Sequence, residues 1–154
     1  MSAVDYAAVA AGLSQAIPFN VHLGLDTITV AEDHGVVRLP DEQHLRNHVG
    51  SLHAGALFAA GEAASGAAFV GAFLDIMGEI MPLAESAQIA YKKLAKGEIT
   101  ATGRFTEDSS ALKAKLNEDG RIRFPVEVEM INADGVLVAE MTVNWYVRRN
   151  DAAR

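Results

Sequence analysis

The sequence has no cysteine, and its basic residues are fewer than its acidic ones. Without cysteine the protein forms no disulfides, uses no thiolate nucleophile and binds no metal through sulfur. This fits a reducing compartment, and we expect a cytoplasmic location. The 13 basic and 20 acidic residues give a formal charge of −7. Nucleic-acid binding is therefore not expected, because neutralising phosphates requires a clustered basic surface. Residues 1–17 contain no lysine or arginine, so we expect no secretory signal.

Apolar residues make up half of the 154 residues, which is typical of a folded globular protein. A chain of this length can bury one substantial core. The sequence shows no internal repeat, low-complexity tract or linker, so we predict a single domain over residues 1–154.

Residues 53–74 form a run without proline and without any charge except Glu62. The length of this run suits a bilayer span. However, an ionisable group near the middle of a span costs roughly 2.5 kcal/mol or more, and no lysine or arginine closely flanks the run. We therefore expect no membrane insertion and predict a helix that is buried inside the protein. A lone carboxylate is costly to bury unless it is used or paired, so Glu62 needs an explanation.

The remaining patterns predict the other elements. Ser2 to Asp5 resembles a capping box that begins a first helix, and Pro18 ends it. Strands at 21–30 and 36–39 flank a turn at 32–35, and a polar loop at 40–51 leads to the central helix at 52–77. The later elements are strands at 86–94 and 98–105, a short helix at 109–117, and two strands around the Asp134-Gly135 turn. Residues 148–154 are expected to fray.

Short turns between neighbouring strands, including the one at 95–97, predict an antiparallel meander. In the last strand, apolar residues from Leu137 to Val147 alternate with polar ones, so one face of the sheet is expected to be apolar. If the sheet curls about the helix, the apolar face of the sheet and the apolar surface of the helix bury each other.

One motif leads into the central helix. It comprises Asn47, Gly50, His53, Ala54 and Gly55, followed fifteen positions after Asn47 by Glu62. It resembles the pattern of the hotdog-fold acyl-CoA thioesterases of the phenylacetate-pathway type, Asn-x-x-Gly-x-x-His-Gly-Gly followed by Asp or Glu. The resemblance implies an α+β hotdog fold, in which a curved antiparallel β-sheet wraps around a long central α-helix. Ala54 stands in place of the family's first glycine, and Glu62 stands where this branch more often has aspartate.

A thioester hydrolase must polarise a carbonyl and deliver water or a nucleophile. The first turn of a helix has unpaired N–H groups that suit a developing oxyanion, so Ala54 and Gly55 are candidates, with the Ala54 N–H preferred. Glu62 is expected to act as general base or to attack directly as nucleophile. The Asn47 amide can hold water or the carbonyl because it both donates and accepts. His53 is expected to orient the loop.

Other positions are candidate substrate-binding residues. They are Gly50 within the motif, Ser65 one turn after Glu62, and Ser86 and Gln88 at the start of the next strand. Packing in a small-residue helix is the alternative reading for Ser65, and an ordinary edge-strand position is the alternative for Ser86 and Gln88.

Two further patterns leave alternatives open. Six basic residues could receive the CoA phosphates or form a solvated face: Lys92, Lys93, Lys96, Arg104, Lys113 and Lys115. The side chains of Leu57, Phe58 and Phe69 could line an acyl pocket or simply form core. His44, His48 and His53 lack the helical spacing of a zinc motif, so no metal is expected.

The sequence thus predicts an acyl-CoA thioesterase that needs no cofactor, with CoA present only as part of the substrate. The resemblance implies a homodimer or a dimer of dimers, in which Glu62 faces Asn47 and His53 of a second subunit across the interface. A non-catalytic acyl-CoA-binding hotdog protein is the main alternative, because Ala54 replaces a glycine. A hotdog enoyl-CoA hydratase is a weaker one, because its Asp and His pair in an Asn-Pro loop has no match here.

Overall fold

The computed structural model of the protein describes residues 2–153, which contain four α-helices and six β-strands. In chain order these are α1 (Tyr6–Ala16), α2 (Pro18–Leu23), β1 (Asp26–Val30), β2 (His34–Leu39), α3 (Ala54–Phe73), β3 (Ile80–Tyr91), β4 (Ile99–Phe105), α4 (Ser109–Asp119), β5 (Arg121–Asn132) and β6 (Leu137–Arg149). Short 3-10 turns occupy Gln43–Leu45, Leu74–Glu79 and Asn150–Ala153.

The six strands form one antiparallel sheet in the order β1-β2-β4-β5-β6-β3. The predicted antiparallel sheet is confirmed, but the predicted meander is wrong in one place. β3 pairs with β6 at the edge of the sheet and not with β4, so residues 95–97 do not form a hairpin turn. The connection instead crosses the ends of β6 and β5, where Lys92 N–H donates to Val138 O and Leu52 N–H donates to Ala95 O. A short connection alone does not specify which strand is the neighbour.

The central helix α3 packs against β1, β2, β4, β5 and β6, so the sheet curves around it. The segment Ala54–Glu79 is long and apolar enough to cross a membrane, but 67% of its most apolar window is buried inside the protein. This is the behaviour of a core helix. Five aromatic rings pack at its C-terminal half: Phe69, Phe73, Phe105, Phe124 and Trp145.

The N-terminal elements differ from the prediction. The cap of α1 is Asp5, whose carboxylate accepts from Ala8 N–H, and not Ser2. Pro18 occupies the first turn of a second helix, where backbone N–H groups donate no intrahelical hydrogen bond, so its missing N–H costs nothing. Gly24, with φ of 72°, ends this helix in the left-handed conformation. The strand predicted from residue 21 therefore begins only at Asp26.

Other boundaries shift by a few residues. The central helix begins at Ala54 and passes after Phe73 into the 3-10 turn, and β3 begins before Pro82, which an edge strand tolerates. His34 and Gly35 belong to β2 and not to the turn before it.

The C-terminal half follows the prediction more closely. The short helix is confirmed, with Asp108 as its cap and Gly120 at its end. The predicted fraying of residues 148–154 is wrong at its start, because Arg148 and Arg149 lie in β6 and Arg149 pairs with Glu79. Arg154 lies outside the described residues.

Candidate active site

The loop before the central helix is organised by Asn47. Its side-chain oxygen accepts from Val49 N–H at 3.0 Å and from Ser51 N–H at 3.1 Å, and its Nδ2 donates to Ser51 Oγ at 2.9 Å. Gly50 has a φ of 77°, which a side chain would disfavour. Since an amide nitrogen carries two hydrogens, Asn47 keeps one N–H for a ligand. Its first role is to hold the loop.

The start of α3 leaves one amide free. His53 caps the helix, because its Nδ1 accepts from Gly55 N–H at 2.8 Å and its carbonyl accepts from the N–H groups of Ala56 and Leu57. Among residues 2–153, no acceptor meets the N–H of Ala54. Of the two predicted oxyanion donors, the structure therefore leaves Ala54 available and engages Gly55. Nδ1 of His53 acts as acceptor, so in the neutral ring the hydrogen is on Nε2.

Glu62 lies on one face of α3 at the boundary of two cavities. A surface groove runs along the helix from Gly55 past Phe58 to Glu62, and a deeper cavity of about 170 Å³ also has Glu62 in its wall. The carboxylate is half-buried, and no cation or hydrogen-bond donor among the described residues compensates for this. Burial alone raises the pKa of Glu62 above its ordinary value.

The deeper cavity is mostly apolar. Its walls come mainly from α1 and α3, with contributions from α2, β1, β3, β6 and the turn after α3, and the apolar wall residues include Leu13, Ile17, Phe69, Val70, Met77 and Trp145. Apart from Glu62, the polar residues of its wall are Asn20 and Thr27. Asn20 is only 8% exposed. Sequence reasoning missed it, although an asparagine between Phe19 and Val21 in an apolar stretch was a usable signal.

The structure does not bring all predicted residues together. Asn47 and Ala54 line a separate pocket with Tyr91 and Lys93, whereas Glu62 belongs to the groove and the deep cavity. Within one chain Asn47 and Ala54 thus lie on a different surface from Glu62, whereas Gly55 lies at the far end of the groove that contains Glu62.

Three of the candidate substrate-binding residues also lie elsewhere. Ser65 is fully buried, donates to Glu62 O at 2.7 Å and accepts from Trp145 Nε1 at 3.3 Å, so it belongs to the core. Ser86 accepts from Asn144 Nδ2 at 3.0 Å on the outer face of the sheet. Gln88 lies on the same face, opposite Thr142. We retain none of the three as a candidate for contact with substrate.

Two of the six basic residues lie far apart. Lys93 lies beside the Asn47 pocket, and Lys113 pairs with Asp75, just beyond the other end of α3. A helix of 20 residues is about 30 Å long, so these lysines do not form one patch. Of the apolar candidates, Phe58 lies in the groove and Phe69 in both the core and the cavity wall. The described residues contain no group of three side chains placed to hold a metal.

This arrangement of helix and sheet is the hotdog fold, and solved structures confirm it. The chain is similar to a protein of unknown function from Pseudomonas aeruginosa, described as a probable thioesterase, with a TM-score of 0.84 and 25% identity over 93% of this chain and 95% of the other. It is also similar to a thioesterase family protein from Silicibacter pomeroyi, with a TM-score of 0.75 and 17% identity over 94% and 99% of the two chains.

A third similar structure is the PaaI protein from the phenylacetic acid degradation operon of E. coli, with a TM-score of 0.70 and 18% identity over 94% and 96% of the chains. The predicted resemblance to this type of hotdog protein is thereby confirmed. Residues 6–147 match the model of a family described as a domain of unknown function, DUF4442, and the chain belongs to that family. No curated protein matches the sequence.

Proposed function

We propose that the protein is an acyl-CoA thioesterase that hydrolyses a thioester to a free carboxylic acid and CoA. One observation carries this proposal: Glu62 is a half-buried carboxylate with no structural partner in the described chain, and it lines an apolar cavity that reaches the surface. An acid held in this way is expected where chemistry uses it. The structural neighbours that are described as thioesterases support the same class of reaction.

In this reaction Glu62 takes a proton from water as the water oxygen attacks the thioester carbonyl. The negative charge that develops on the carbonyl oxygen is stabilised by the free N–H of Ala54 at the positive end of α3. When the carbon–sulfur bond breaks, the leaving thiolate takes up the proton held by Glu62. The alternative is direct attack by the carboxylate, which gives an anhydride that water then hydrolyses. The raised pKa of Glu62 favours either role, because it makes the carboxylate more basic.

The proposed site is completed by a second subunit. Glu62 lies apart from Asn47 and Ala54 in one chain, and β3 is a 12-residue edge strand with exposed Leu83 and Tyr91. Such an edge offers unpaired N–H and C=O groups to another strand. A two-fold dimer that joins two β3 edges would allow the loop of one subunit to approach Glu62 of the other. Lys93 beside the loop is then a candidate partner for a CoA phosphate.

Replacing Glu62 with glutamine tests the proposal. Glu62→Gln keeps the size of the side chain but removes the base, so we expect kcat/KM to fall by at least about 100-fold in a thiol-release assay with acyl-CoAs. Glu118→Gln is the matched control, because Glu118 is exposed on α4. Circular dichroism should show that both variants fold. Cleavage by Glu62→Gln at the parental rate would contradict the assigned role.

A non-catalytic acyl-CoA-binding protein is the second candidate. The observation that favours it is Ala54, whose methyl group stands at the start of α3 where the thioesterases that the motif resembles have no side chain. In that case the protein would bind acyl-CoA in equilibrium dialysis and release no thiol.

A further inference from the structure

The deep cavity and the surface groove share two wall residues, Asn20 and Glu62. Asn20 lies on α2 and Glu62 on α3, so the junction is formed by two helices from different parts of the chain. From this junction the cavity leads inward beneath α1, and the groove leads outward along α3 to Gly55. A molecule that occupies both spaces would therefore contact both of these side chains.

The side chain of Asn20 has no hydrogen-bond partner among the described residues. More than nine-tenths of the residue is shielded, and its amide forms no hydrogen bond with any residue that the structure describes. In the described chain no polar side-chain atom is both sealed from solvent and unbonded, so the amide of Asn20 keeps access to the cavity. A buried amide is unfavourable when its hydrogen bonds are missing. It is satisfied when water or a polar group of a ligand occupies the junction.

The rest of the cavity suits an uncharged apolar group. Its wall contains no lysine or arginine, and Glu62 would repel a second carboxylate. Its volume is about 170 Å³. An apolar cavity of about 150 Å³ accommodates benzene. The space therefore fits an acyl group of about six to eight carbons.

We propose that this cavity is the acyl pocket for an uncharged acyl group of medium length, and that Asn20 contacts the thioester at its mouth beside Glu62. The proposal rests on the proposed thioesterase function and adds to it the class of acyl group and a further residue that touches substrate. The thiol side of the substrate leaves through the groove past Phe58 toward Gly55.

Filling the cavity tests the first half of the proposal. Gly66 lies in the cavity wall one turn after Glu62, and a Cβ built there meets nothing within 4 Å. In Gly66→Leu we expect the ratio of kcat/KM for octanoyl-CoA to that for butanoyl-CoA to fall by about tenfold or more. Gly12→Leu is the matched control, because Gly12 is exposed on α1 and equally free of neighbours. An unchanged ratio in Gly66→Leu would overturn the pocket.

Binding can be measured without turnover, because the only tryptophan of the chain, Trp145, lies in the cavity wall. We expect octanamide, which is uncharged and contains no thioester, to change the fluorescence of Trp145 saturably. Gly66→Leu should weaken this binding by about tenfold. If octanamide binds in this way but no acyl-CoA is cleaved, the thioesterase function fails and the pocket stands. If acyl-CoAs are cleaved but octanamide has no effect, the pocket fails.

Asn20→Leu tests the second half, because leucine has a similar volume and no polar atoms. We expect kcat/KM for octanoyl-CoA to fall by about tenfold, while the midpoint of thermal unfolding stays the same or rises, since an unpaired buried amide is removed. A purely structural asparagine would give the reverse: a lower midpoint and an unchanged kcat. That result would overturn the role of Asn20.

Discussion

In the proposed mechanism, Glu62 is a side chain that favours activity over stability. Its helix is otherwise uncharged from residue 54 to residue 73, and the structure provides the carboxylate with neither a cation nor a hydrogen-bond donor among the described residues. Burial therefore disfavours the charged form and raises the pKa. The raised pKa would help Glu62 in its proposed role of accepting a proton from water, whereas it lowers the stability of the fold.

The stability of Glu62→Gln should therefore depend on pH. Because the pKa of Glu62 is higher in the folded than in the unfolded chain, its ionised form destabilises the fold. The cost is complete above the raised pKa and disappears as the pH falls below the unfolded value of about 4.3. We expect Glu62→Gln to unfold at higher urea concentration than the parent at pH 7, with the difference vanishing near pH 4. The exposed control Glu118→Gln should show no such trend, and a parent that is more stable than Glu62→Gln at pH 7 would refute the expectation.

At the scale of elements, α3 makes a core with very small residues. Alanine and glycine let its backbone approach the sheet so closely that two paired strand positions, Gly35 and Gly103, have no room for a side chain. A Cβ on Gly103 would lie 2.7 Å from Ala64 O. Large side chains enter the core in the last two turns of the helix, where Phe69 stacks on Phe73 at 4.7 Å between ring centroids. Close packing of backbone on backbone thus fixes the height of Glu62 above the sheet.

Gly103→Ala should destabilise the protein by about 1–3 kcal/mol, because the added methyl group meets a backbone oxygen that cannot move without the helix. Denaturant unfolding measures this. Gly12→Ala is the control, since its position on α1 is open, and it should gain about 0.5–1 kcal/mol from helix propensity. Equal stability of Gly103→Ala and the parent would show that the helix can shift without cost.

At the scale of the whole molecule, the chain carries the residues of the proposed site on two surfaces. Asn47 and Ala54 lie at one pocket and Glu62 at another, and the long edge strand β3 leaves the sheet open on that side. A second subunit is the simplest way to bring the two sets of residues together. If the proposed dimer forms, two inactive variants should regain activity when they are mixed, which a monomeric enzyme cannot do.

Mixed dimers test this arrangement. Asn47→Ala and Glu62→Gln are each expected to be nearly inactive, the first also because its loop loses three hydrogen bonds. In a mixed dimer, one of the two sites contains the unchanged Asn47 of one subunit and the unchanged Glu62 of the other. The second site contains both substitutions and stays inactive. Random mixing of equal amounts should therefore restore about a quarter of the parental activity. Thiol release from co-refolded variants measures it, and no recovery above the separate variants would rule out a shared site.

The predictions that held depend on local patterns. The short helix after β4 has its cap at Asp108 and its end at Gly120, as local propensities require. The apolar run around Glu62 is the core helix, and the loop motif before it forms the helix start. The errors arose where one local pattern is compatible with two structures. Pro18 ends one helix but also begins the next, and the 95–97 segment turns the chain without forming a hairpin.

By itself the sequence determined the central helix, its solitary carboxylate and the motif in the loop before it, because each depends on residues that are close together in the chain. Tertiary structure alone decided that β3 pairs with β6, that Ser65 packs into the core and that Asn20 joins Glu62 at a cavity mouth. The physical reason is that strand partners and cavity walls are made by segments far apart in the chain. Local spacing carries no measure of the distances between them.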